Sequence, residues 1–144
     1  MSENVYTHEY SQAPERFSKN PSVLAFVGDA YYSLLVRTHL SDRDRPSGEL
    51  HRLSVGYVSA AAQSEAFHRI EPLLREEESD IFKRGRNFHT GNVPKNASCA
   101  EYHTATGLET LFGYLYLSGQ TNRAEELFRN MFDENAKIPS GGQK

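Results

Sequence analysis

The sequence predicts an all-α fold, and three observations carry that expectation. Apolar residues recur at helical spacing in several separate segments. Caps and breakers punctuate the chain between those segments. No long run alternates apolar with polar residues, as a half-buried strand would. The 144 residues suit one domain and leave no room for a second of ordinary size. At that length the chain buries roughly two thirds of its unfolded surface and needs no disulfide to hold a core.

Residues 1–19 are polar and aperiodic and are expected to form an arm, followed by a folded domain over 20–136 and a disordered tail over 137–144. The first helix is expected over 22–37, with Ser22 as its cap and Leu24, Val27, Tyr31, Leu34 and Leu35 at helical spacing. Phe26, Tyr32 and Val36 make the opposite face apolar too, which predicts a helix buried all round. A charged turn over 41–46 leads to a second helix over 47–70, capped by Ser47, with Leu50, Leu53, Ala61 and Phe67 among its apolar positions and Gly56 near its middle. Pro72 marks a break. A short acidic helix over 73–83 carries Glu76, Glu77, Glu78 and Asp80, and a loop over 85–94 is punctuated by Gly85, Gly91 and Pro94. Ser98 with Glu101 reads as a capping box opening a helix over 99–118, which Gly119 is placed to stop. A last amphipathic helix over 121–135 sets Ala124, Leu127, Phe128 and Met131 on one face.

Composition excludes several classes. One cysteine, Cys99, permits no internal disulfide and no four-cysteine metal site, as a reducing compartment favours. The six histidines show no zinc spacing. No apolar run approaches the ~20 residues of a membrane span. The start of the chain lacks the basic and apolar regions of a signal peptide, so a cytoplasmic protein with no membrane partner is expected. The net charge of −3 does not by itself announce a nucleic-acid binder, so any such role must come from local clustering.

Two carboxylates are the informative residues. Asp29 is the only charged residue between Pro21 and Val36, and Glu109 the only formally charged one between Tyr102 and Asn122. Each sits in the most apolar helix of its half of the chain, where burying an unpaired carboxylate costs several kcal/mol or raises its pKa strongly. Gly28 precedes Asp29, and Gly107 and Gly113 bracket Glu109. A mid-helix glycine costs roughly 1 kcal/mol against alanine, commonly in return for close approach of another backbone or a ligand. The carboxylates could each pair with an arginine or cap a neighbouring helix. The pattern as a pair favours a shared divalent cation, since Mg²⁺ and Mn²⁺ accept few protein oxygens when water and phosphate complete the shell.

A basic stretch adds to this. Between Ile81 and Ala100 there is no acid, while Lys83, Arg84, Arg86 and Lys95 are basic and Asn87, His89, Thr90, Asn92 and Asn96 supply further donors. Such a segment can hold phosphate oxygens, or can be a solvated loop balancing the acidic helix before it. Tyr31, Tyr114 and Tyr116 are expected to be packing residues, and His51 and His68 surface or partly buried helix residues rather than ligands. Cys99 lies at a helix start but has no evident base partner for thiol chemistry.

At these residues the chain resembles a known family. Phe26-Val-Gly-Asp-Ala30 is similar to the signature helix of the ribonuclease III family, Phe-Leu-Gly-Asp-Ala. Glu109-Thr-Leu-Phe-Gly-Tyr-Leu-Tyr-Leu-Ser-Gly119 is similar to its second metal-binding helix, Glu-Ala-Leu-Ile-Gly-x-x-Tyr-Leu-x-x-Gly. The basic stretch Arg84-Gly-Arg-Asn-Phe-His-Thr-Gly-Asn-Val-Pro-Lys-Asn96, and the helix containing Tyr57-Val-Ser-Ala-Ala-Ala-Gln63, resemble the short bacterial Mini-ribonuclease III subfamily, which lacks a double-stranded RNA-binding domain. The resemblance spans about residues 20–135. It implies an all-α endonuclease acting as a homodimer. It implies Mg²⁺-dependent phosphodiester hydrolysis in double-stranded RNA, with Mn²⁺ as a possible substitute and large-subunit (23S) ribosomal RNA precursor as substrate. Asp29 and Glu109 fall on the metal-binding catalytic positions, and Lys83, Arg84, Arg86, Asn87 and Lys95 would grip RNA. Full-length members carry a Glu four residues before the signature Asp and an Asp three residues before the second-helix Glu; here these are Ala25 and Thr106, as in the short subfamily, which leaves fewer protein ligands. Two other readings stay open: a non-catalytic RNA-binding dimer of this fold, and a helical nucleotide phosphohydrolase.

Overall fold

The computed structural model describes residue 14 and residues 16–88 and 98–132, and every regular element among them is helical. Helix α1 spans Pro21–Leu40. Its cap is Asn20 rather than Ser22: the Asn20 side chain accepts from the Ser22 backbone N–H at 2.9 Å. Pro21 then occupies the first helical position, where a missing N–H costs nothing. The 41–46 turn is pinned by Arg45, which donates to Asp42 at 2.8 Å and to the Leu40 carbonyl.

The expected single helix over 47–70 is two, α2 (Ser47–Val58) and α3 (Ala60–Ile70). Ser59 turns extended between them (ψ 156°), and its hydroxyl caps α3 by accepting from the Ala62 N–H at 3.2 Å. A serine followed by alanines is a start signal inside an otherwise helical stretch. Pro72 lies in a 3₁₀ turn, Glu71–Leu73, and the acidic helix α4 runs Glu76–Arg86. Lys83, Arg84 and Arg86 are therefore in the last turn of a helix, not in a loop. Gly85, expected to break the chain, is buried inside α4, where a Cβ would lie 2.2 Å from the Thr110 hydroxyl.

Helix α5, Cys99–Leu117, opens on Ser98, whose hydroxyl accepts from the Glu101 N–H at 3.1 Å. Gly119 ends the segment with φ +77°, the left-handed value a glycine takes without strain. Helix α6 covers Thr121–Phe132; the expected continuation to 135 and the tail lie outside the described residues.

Helix α5 is the central element, flanked by α1, α3 and α4. Leu108, Leu111, Phe112 and Leu115 of α5 meet Leu24, Tyr32 and Val36 of α1 and Leu127 and Met131 of α6 in the core. Part of the expected arm joins it: Phe17 packs edge-on to Tyr114, and Arg84 donates to the Lys19 carbonyl at 3.0 Å. Helix α1 is not buried all round, because Phe26 is 80% exposed and Leu34 58%. Tyr116, expected in the core, is partly exposed, with its ring against Tyr31.

Candidate active site

Helices α1 and α5 cross through two glycines. A Cβ on Gly28 would stand 1.7 Å from the Glu109 backbone oxygen, and one on Gly113 would stand 1.9 Å from the Leu24 oxygen. No side chain larger than hydrogen fits either place. The crossing thus brings the residue after Gly28, Asp29, into electrostatic contact with Glu109. The close approach expected of these glycines is to backbone.

The two carboxylates differ. Asp29 is exposed, not buried as the apolar surroundings in sequence suggested. Glu109 is half-buried, and its pKa is pushed up to about 7. Desolvation is the largest cause; the Gln63 hydrogen bond opposes it, and the Asp29 charge adds to it. Gln63 Nε2 donates to Glu109 Oε2 at 3.2 Å. Tyr32 stands nearby, its phenol pKa raised by burial and then by the Glu109 charge, and its hydroxyl donates to the Tyr57 carbonyl at 3.3 Å.

Among the described residues neither Asp29 nor Glu109 has a cationic partner. The same protein shows what such pairing looks like elsewhere. Glu78 of α4, 3% exposed, accepts two hydrogen bonds from Arg123 of α6, at 2.8 and 2.9 Å, and one from the Arg75 N–H at 2.9 Å. Burial works to raise its pKa, but those bonds outweigh it and hold it below the ordinary carboxylate value.

The donor set at Asp29 and Glu109 fits a hard divalent cation. Two carboxylates interact there, the pKa of Glu109 being raised by burial first and by the Asp29 charge as well, and a cation would offset both effects. No cluster of three or more Asp, Glu, His or Cys suited to a metal occurs among the described residues. Thr106, in place of a family acid, turns its hydroxyl back to the Tyr102 carbonyl at 3.0 Å. Water and phosphate oxygens would have to complete the shell.

Of the expected RNA contacts, Lys83 and Arg84 are exposed on α4, and Asn87 caps that helix. Arg86 lies over the Phe82 ring and donates to Asn87 at 3.3 Å. Lys95 and the rest of the basic stretch, 89–97, lie outside the described residues. Sequence reasoning missed two polar groups, Gln63 and the Glu78–Arg123 pair. Gln63 was legible in principle: it shares the apolar stripe Gln63, Ala66, Phe67, Ile70 at helical spacing, where a polar residue stands out. Arg123 carried no comparable signal, because its partner is distant in sequence.

Residues 22–120 match the ribonuclease III domain family. The chain belongs to the ribonuclease III family, and that places it among the double-strand-specific endoribonucleases, which use divalent metal ions. Within it the chain is similar to proteins named Mini-ribonuclease 3. It is 47% identical to that of Thermoanaerobacter sp. over 76% of this chain and 78% of the relative. It is 40% identical to that of Clostridium tetani over 82% of each, and 46% identical to that of Brevibacillus brevis over 78% of this chain and 85% of the relative. A crystal structure of a protein from Fusobacterium nucleatum superposes with a TM-score of 0.73 at 27% identity, covering 84% of this chain and 96% of that one.

Proposed function

We propose that the chain hydrolyses double-stranded RNA with Asp29 and Glu109 as the protein ligands of Mg²⁺, for which Mn²⁺ can substitute. The observation that carries this reading is the electrostatic contact of those two carboxylates at a glycine crossing, with no cationic side chain paired to either among the described residues. The substrate is large-subunit (23S) ribosomal RNA precursor, met in the cytoplasm, in line with the similarity to Mini-ribonuclease 3 proteins. No helix among the described residues is long and apolar enough to cross a membrane.

When bound, the cation supplies Lewis-acid activation of water and offsets charge on the scissile phosphate. The water oxygen bonds to phosphorus as the bond to the 3′ oxygen breaks, leaving a 3′-hydroxyl and a 5′-phosphate. Asp29 and Glu109 contribute anionic oxygens fixed by the rigid α1–α5 crossing. Lys83 and Arg84 on α4, with Arg86, Asn87 and Lys95, contact flanking phosphates, as suits a duplex read by shape and backbone rather than by base. The exposed apolar face of α1, with Phe26 and Leu34, and Tyr116 of α5 suit a second copy of the chain, giving a homodimer with two sites on one duplex.

A gel assay on a long RNA duplex tests the reading. Wild type with Mg²⁺ cleaves and wild type with EDTA does not. Asp29→Asn and Glu109→Gln each lower the rate about 10³-fold, since the lost interaction is worth several kcal/mol of transition-state stabilisation. Undiminished cleavage by both variants overturns the assignment. Duplex binding without cleavage by wild type supports the RNA-binding alternative.

A further inference from the structure

Gln63 carries more than its packing requires. It is 2% exposed, inside the apolar stripe by which α3 meets α5. Its amide nitrogen donates twice, to the Val58 carbonyl at 2.9 Å and to Glu109 Oε2 at 3.2 Å. Both acceptors fix which end of the amide is nitrogen: reversed, its oxygen would face a carbonyl and a carboxylate oxygen. In this orientation Gln63 Oε1 is buried and finds no donor among the described residues. A buried unpaired acceptor is costly, and such groups in native proteins call for an explanation. A leucine would fill much the same space without that cost. What a leucine cannot do is donate to Glu109.

We infer that Gln63 is a positioning residue for the metal-binding carboxylate: it fixes Glu109 Oε2 from the core side and leaves Oε1, which has no partner among the described residues, for the cation. This rests on the proposed role of Asp29 and Glu109. The Val58 carbonyl that holds the other amide hydrogen lies at the break between α2 and α3. The Ser59 break therefore turns Gln63 into a brace between the end of α2 and the site. Partners that orient metal ligands from behind, when removed, typically cost 10- to 100-fold in metal affinity or activity.

The test uses the full chain and two variants, Gln63→Leu and Gln63→Met, so that one folded variant suffices. Mn²⁺ binding to protein without RNA is followed by electron paramagnetic resonance, and cleavage is followed against Mg²⁺ concentration. The expected result is at least 10-fold weaker Mn²⁺ binding, a cleavage midpoint moved to at least 10-fold higher Mg²⁺, and an unchanged KM for duplex at saturating metal. Wild-type Mn²⁺ affinity and an unmoved Mg²⁺ midpoint in a folded variant overturn the inference and show Gln63 to be structural. Failure of the underlying reading looks different: Asp29→Asn and Glu109→Gln then bind Mn²⁺ as wild type does.

Discussion

Glu109 and Glu78 are two buried or half-buried carboxylates with opposite fates. Arg123 and the Arg75 N–H hold Glu78 in its charged form, whereas burial and Asp29 push Glu109 toward its neutral form, with a pKa near 7. The consequences for stability have opposite signs. A carboxyl raised on folding contributes stability that is fully present below its unfolded pKa, and that stability is lost as pH rises to the folded value. For Glu109 the window runs from about 4.5 to about 7. Glu109→Gln removes that loss, so in EDTA its stability relative to wild type should rise by about 3 kcal/mol between pH 4 and pH 8, measured by urea unfolding. Glu78 behaves conversely: its contribution is present above its unfolded pKa and fades as pH falls. Solitary charges in apolar helices made Asp29 and Glu109 legible in the sequence. Their difference in exposure was not legible, because it depends on where α1 faces solvent.

At the scale of elements, sequence spacing located the helical segments but merged α2 with α3 and misplaced other boundaries. The break at Ser59 hid inside a continuous apolar pattern. Gly85 looked like a loop residue because its role, admitting Thr110, belongs to another helix. Glycine 28 shows the same logic at the site, and Gly28→Ala should cost at least about 3 kcal/mol, because the added carbon meets unyielding backbone. Arg123 ties α6 to α4 and also donates to the Leu73 carbonyl of the 3₁₀ turn at 2.8 Å. Arg123→Ala leaves Glu78 buried without its partner, and equilibrium denaturation should show a loss of about 3–5 kcal/mol at pH 7. A loss below about 1 kcal/mol would mean that Glu78 reaches water when Arg123 is gone.

At the scale of the whole molecule, α1 is apolar on more than one side, and among the described residues an open face remains around Phe26 and Leu34. Sequence periodicity showed the apolar residues but not which of them would lie open: Tyr32 and Val36, expected on the same face as Phe26, are in the core. Phe26 at 80% exposure is the centre of that open face, so Phe26→Glu should convert a sedimenting dimer into a monomer. A dimer of unchanged stability would place the contact elsewhere. The pair of carboxylates at the α1–α5 crossing is the centre of the proposed function, in which they repel each other in the free protein and share a cation in the working one. The direct measurement is the Glu109 carboxyl ¹³C shift against pH, with and without Mg²⁺. The expected midpoint lies near 7 without metal and moves well down when Mg²⁺ is added. A midpoint near 4.5 that ignores Mg²⁺ would contradict it.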